Sequence, residues 1–133
     1  MGYLERISRA LTGVPVALPD QLARVYPELA NLSLRRGGLP ARVAGWLLGQ
    51  SSVAAITLRR TVYFGAHTRL DARLLLHELR HVEQFRERTS FPVRYIWESL
   101  RRGYHQNRYE VDARAYASRR LGQAVRPRPV EEA

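Results

Sequence analysis

The apolar positions of this chain begin at helical spacing, give way to a β-branched and aromatic stretch between residues 53 and 64, and then return to helical spacing. At the start, Leu4, Ile7 and Leu11 are set among Glu5, Arg6 and Arg9, which predicts an amphipathic helix over 3–12. Pro15 and Pro19 punctuate an extended stretch. Asp20 is placed to cap a second helix reaching about Tyr26, where Pro27 interrupts the pattern. A further short helix is expected before Arg35-Arg36-Gly37-Gly38, a turn by composition. Pro40 suits the first turn of a helix through Val43, Trp46 and Leu47 to about Gly49.

Val53–Leu58 and Thr61–Phe64, with Arg59-Arg60 between them, predict two short strands in a hairpin closed by Gly65. Three helices follow. Thr68-x-x-Asp71 reads as a capping box for a helix to about Arg88. Pro92 opens the next, which Gly103 ends, and Asn107 caps the last, which runs to about Leu121. The tail over 125–133 is expected to fray. These elements describe an α+β class dominated by helices, with a two-stranded β element ahead of the most strongly patterned helix.

Composition narrows the chemistry. A chain of 133 residues holds one domain, and 45% hydrophobic residues suffice for its core. The absence of cysteine excludes disulfides, thiolate metal sites and cysteine nucleophiles, leaving histidine and carboxylates as the strong metal ligands. A formal charge of +10 suggests a nucleic-acid partner at first sight. All 22 basic residues are arginine, however, and they fall in scattered pairs such as Arg101/Arg102 and Arg119/Arg120, which points to coding bias and not to a built patch. No export signal or bilayer-length apolar stretch is present, so a cytoplasmic location is expected.

The chemistry centres on His77-Glu78-Leu79-Arg80-His81, an H-E-x-x-H within the strongest predicted helix. At about 100° per residue, His77 and His81 project about 40° apart, one turn above the other. Two imidazoles so placed can hold one Zn²⁺, and Glu78 on the flank can take the proton of an attacking, metal-bound water. Leu74, Leu75, Val82 and Phe85 surround this face and predict a dry wall. Glu110, at the start of the last predicted helix, is the best third ligand, with Ala113 and Ala117 allowing close approach. It could instead complete a cap with Asn107 or pair with Arg114. Asp112, His105 and His67 are alternative ligands, and Tyr104, His105 and Tyr109 are candidate donors to an oxyanion.

With these residues, the chain resembles glutamate-type zincins. More narrowly, Leu74-Leu75-Leu76-His77-Glu78-Leu79-Arg80-His81-Val82-Glu83-Gln84, preceded by Ala55–Leu58 and Val62–Phe64, is similar to the bacterial metallopeptidase-like domain of the extracellular contractile injection system core family. The resemblance covers about 39–121. It implies a minimal zincin-like core there, with 1–38 as an N-terminal helical extension, a zinc site, and peptide or protein substrates. The Glu110–Ala117 stretch is also similar to metallopeptidase-like regulators of bacterial stress responses. Thermolysin-like zincins carry an Asp four residues after the third ligand to orient a metal histidine; Arg114 stands there, so that partner must come from elsewhere. The function implied is zinc-dependent peptide hydrolysis with Glu78 as general base. The alternatives are a zincin-fold interaction protein with a structural or vestigial metal site, binding protein or nucleic acid, and an arginine-rich helical domain without metal.

Overall fold

A computed structural model describes residues 2–38 and 55–125. The helix expected over 40–49, the residues Val53 and Ala54, and nearly all of the tail over 125–133 lie outside the described residues. In order, the chain forms α1 (Tyr3–Thr12), β1 (Val14–Pro15), α2 (Asp20–Val25), a 3₁₀ turn (Pro27–Asn31), β2 (Ser33–Arg36), β3 (Ala55–Leu58), β4 (Thr61–Phe64), α3 (Ala72–Glu87), α4 (Phe91–Arg102) and α5 (Arg108–Val125). This is a helix-dominated α+β structure.

The sheet has four described strands in the order β1-β2-β4-β3, and not two. β3 and β4 form the expected antiparallel hairpin, Leu58 opposite Thr61, and Arg59 takes the left-handed backbone (φ 57°) that so tight a turn demands. Of the additional strands, β1 lies in the stretch expected to be extended and β2 in the segment expected to be helical and turn-like. β2 pairs in parallel with β4, Leu34 beside Val62, and β1 pairs antiparallel with β2. β1 is too short, and β2 too polar, to announce a strand; contacts distant in sequence hold them. Arg36 donates to the carbonyls of Gly65 (3.0 Å) and Thr68 (2.8 Å), and Arg35 donates to the Thr12 carbonyl. At the α1–β1 corner Gly13 has φ 70°, and a Cβ there would lie 2.6 Å from the Arg36 carbonyl oxygen, so only glycine fits.

The core joins the sheet to α3. Leu34, Val62 and Phe64 meet Leu75, Leu76 and Leu79, with Tyr26, Leu29 and Ala117 closing the sides. α3 packs closely on α5, where Ala113 and Ala117 are fully buried small residues that bring the two helix axes together. Asp71, not Thr68, caps α3: its carboxylate accepts from the Leu74 N–H at 2.8 Å, while the Thr68 carbonyl is engaged by Arg36. α5 continues through Gly122 to Val125, past the expected end at Leu121. No helix among the described residues is long and apolar enough to cross a membrane.

Candidate metal centre

α3 presents the two histidines toward α5. His77 and His81 stand one turn apart with ring centroids 4.9 Å apart and edge-on, and their Nε2 atoms are 3.2 Å from each other. His81 is buried among aromatic rings, with the centroids of Phe91 and Tyr95 at 6.3 and 6.0 Å.

α5 delivers Glu110 because Asn107 anchors its start. Asn107 is wholly buried; its Oδ1 accepts from the Tyr109 N–H (2.9 Å) and its Nδ2 donates to the Tyr95 carbonyl (3.0 Å) and Ser99 Oγ (2.8 Å). The expected cap is therefore also a brace between α4 and α5. Glu110, in the first turn, points across to α3: Oε2 lies 2.8 Å from His77 Nε2 and Oε1 3.1 Å from His81 Nε2. It neither folds back onto Asn107 nor pairs with Arg114, which donates to the His105 carbonyl.

The two imidazole Nε2 atoms thus sit 3.2 Å apart, with Glu110 Oε2 2.8 Å from that of His77 and Glu110 Oε1 3.1 Å from that of His81. A tetrahedral ion with bonds of about 2.0–2.1 Å separates its ligand atoms by about 3.3 Å, so each of these contacts is within about half an ångström of that spacing. The ligand atoms of His77, Glu78 and His81 also lie within 4.8 Å of one another. The two carboxylates differ in what they meet: the Glu110 oxygens reach both imidazoles, whereas Glu78 is tied to the sheet. Glu78 Oε2 accepts from Thr57 Oγ1 at 2.6 Å, and both side chains are buried.

The electrostatics match this crowding. Burial would raise the Glu110 pKa, but hydrogen bonds to His77 and His81, the His81 charge and the Tyr95 hydroxyl hold it well below the usual carboxylate range. Burial likewise opposes the His81 imidazolium, yet the Glu110 hydrogen bond and the negative charges of Glu78 and Glu110 raise it to about 9 in the metal-free site. Tyr95 donates to Glu110 Oε1 at 2.6 Å. Burial and then the Glu110 charge push its phenol far up, and Tyr104 shifts the same way through burial, Glu110 and Glu78. Both tyrosines therefore keep their protons and remain donors.

Of the expected oxyanion donors, Tyr104 lies close enough to Glu110 and Glu78 for their charges to raise its phenol. The Tyr109 hydroxyl accepts from Arg108 (2.8 Å) while its ring packs on Phe91, and His105 is exposed beside Tyr104, its carbonyl accepting from Arg114. The alternative ligands fall away from the centre: His67 is exposed, and Asp112 is held by Arg80 Nε (2.6 Å) and Gln84 Nε2 (3.0 Å).

Three side chains at the centre escaped the sequence reading. Gln84 Oε1 lies 2.7 Å from His81 Nδ1, answering the departure at Arg114. Its place seven residues after His77 and three after His81 puts it on the same helical face, a signal that was available. Thr57 and Tyr95 carry no such signal, since only the packing of β3 and α4 brings them here.

Residues 33–89 match the family model of the eCIS core domain. The match takes in β2, β3, β4, α3 and the H-E-x-x-H, and stops before Glu110. No curated protein and no solved structure gives a significant match to the chain.

Proposed function

With an eCIS core domain over residues 33–89, we propose that this chain is a zinc-dependent peptide hydrolase in which His77, His81 and Glu110 hold the ion and Glu78 is the general base. The observation that carries the reading is the convergence of two imidazoles and a buried carboxylate on one point beside a second, restrained carboxylate. Bound there, zinc would supply Lewis acidity toward a peptide carbonyl and toward water.

The chain's own residues supply the rest. Thr57 holds Oε2 of Glu78, which leaves Oε1 to accept a proton as water adds to the carbonyl carbon. The same proton then passes from Glu78 to the departing amide nitrogen as the C–N bond breaks. Tyr104, and Tyr95 once its hydroxyl leaves Glu110, would donate to the developing oxyanion. The aromatic wall of Phe91, Tyr95 and Tyr109 keeps water from the His81 side, where charge interactions are then stronger.

The test pairs metal analysis with one isosteric substitution. The purified protein should carry about one zinc per chain, as a single tetrahedral site requires. Glu78→Gln should retain that zinc and lose cleavage of a mixed fluorogenic peptide pool; full cleavage by this variant would refute the mechanism. The charge of +10 favours a second reading, an interaction protein that binds nucleic acid and uses its metal only for folding. That reading requires binding that falls steeply with salt and is indifferent to Glu78→Gln.

A further inference from the structure

We infer that Gln84 is the positioning residue of the metal centre, fixing the tautomer of His81 through an amide relay that ends on Asp112. The inference rests on the metal reading above and adds to it the means by which one ligand is oriented. Gln84 is buried, and its two amide atoms have distinct surroundings. Nε2 faces two acceptors, the Tyr109 carbonyl and Asp112 Oδ2, each at 3.0 Å. An amide oxygen turned toward both would meet only lone pairs, so the amide orientation is determined by these neighbours. Oε1 must therefore face His81 Nδ1, at 2.7 Å. An oxygen there accepts, so Nδ1 carries the proton and Nε2, beside Glu110 and His77, presents its lone pair to a metal.

Asp112, where the relay ends, is itself held in place. Asp112 Oδ2 also accepts from Arg80 Nε at 2.6 Å, and Arg80 Nη1 pairs with Glu83 (3.0 Å) and Glu87 (2.7 Å). Asp112 is two positions beyond Glu110 and so points away from the metal face. Its carboxylate cannot touch an imidazole directly and acts through the Gln84 amide. Arg114, four positions beyond Glu110, has no part in this: its guanidinium is turned to the His105 carbonyl. A neutral amide thus does the orienting, while the charge stands one group further out.

The experiment measures zinc affinity by competition with a chromogenic chelator, for the full chain and for Gln84→Leu and Gln84→Glu, beside melting of each metal-free protein. Gln84→Leu removes the acceptor and should weaken zinc binding about 10–100-fold, the usual scale for losing an outer-shell partner. Gln84→Glu keeps an acceptor at His81 Nδ1 but places a carboxylate against Asp112 and the Tyr109 carbonyl. It should melt lower than the parent while keeping zinc affinity within about threefold, since the contact that orients the ligand survives. Parental affinity in Gln84→Leu would overturn the inference. So would equal weakening in both variants, which would make Gln84 only a brace between α3 and α5. If the parent chain takes up no zinc, the metal reading itself fails, an outcome separate from either of these; if Gln84→Leu does not fold, the Gln84→Glu comparison decides.

Discussion

Thr57→Val replaces a hydroxyl by a methyl of nearly the same shape in a buried position of β3, opposite Val62, so strand pairing and packing are left intact. What it removes is the 2.6 Å donation to Glu78 Oε2, a hydrogen bond to a carboxyl group that is itself only 5% exposed. Hydrogen bonds to charged groups contribute about 1.5–3 kcal/mol, and the new buried methyl offsets up to about 0.8 kcal/mol, which leaves a net loss of about 1–2 kcal/mol. For a domain of this size each kcal/mol moves the melting temperature by about 3–6 °C, so the metal-free variant should melt about 3–12 °C lower. Calorimetry or far-ultraviolet dichroism reads this directly. A double-mutant cycle with Glu78→Gln isolates the pair, because a neutral acceptor gains less from the hydroxyl and the Thr57→Val loss should shrink by about 1 kcal/mol. An equal loss in both backgrounds, or a loss under about 0.5 kcal/mol in the parent, would refute the claim that Thr57 restrains the base.

Other consequences are open to direct measurement. Zinc at a hundred times its dissociation constant should stabilise the chain by about 2.7 kcal/mol, seen as a rise in melting temperature that Glu110→Gln and His77→Ala reduce or abolish. In the metal-free protein the folded-state pKa of His81 is raised to about 9, so its contribution to stability is present in full below the ordinary histidine range and is lost as pH rises through 9. Melting temperature measured between pH 7 and pH 10 should therefore fall for the metal-free form and stay flatter for the zinc form, in which the metal replaces that proton. Asn107→Ala removes the cap of α5 and two donations to α4; it should cost about 2–4 kcal/mol in denaturant unfolding and weaken zinc binding by displacing Glu110. Tyr95→Phe removes only the hydroxyl on Glu110 Oε1; it should weaken zinc binding at least several-fold, read by the same chelator competition, and lower the melting temperature of the metal-free protein by several degrees.

Much of this protein was determined by local pattern alone. The period of apolar residues and the punctuation by Pro92, Gly103 and Asn107 defined α4 and the start of α5, because caps and helix breakers act within one turn of where they stand. The H-E-x-x-H needed only helical geometry to align His77 with His81, and Gln84 followed from the same geometry for any reader who extended the face by one turn. The tertiary structure decided what depends on partners remote in the chain. Ser33–Arg36 is a strand because β4 lies beside it and Arg36 ties it to the loop after β4, whereas its own composition reads as a turn. Glu110 had two plausible local partners, Asn107 and Arg114. The close packing of α5 on α3 through Ala113 and Ala117 turned it instead onto two histidines about thirty residues earlier, whose imidazoles offset the cost of burying its charge. Thr57 and Tyr95 belong to the centre for the same reason: a side chain that acts across elements leaves no periodic trace in its own segment, and only the packing of β3 and α4 against α3 and α5 gives it a role.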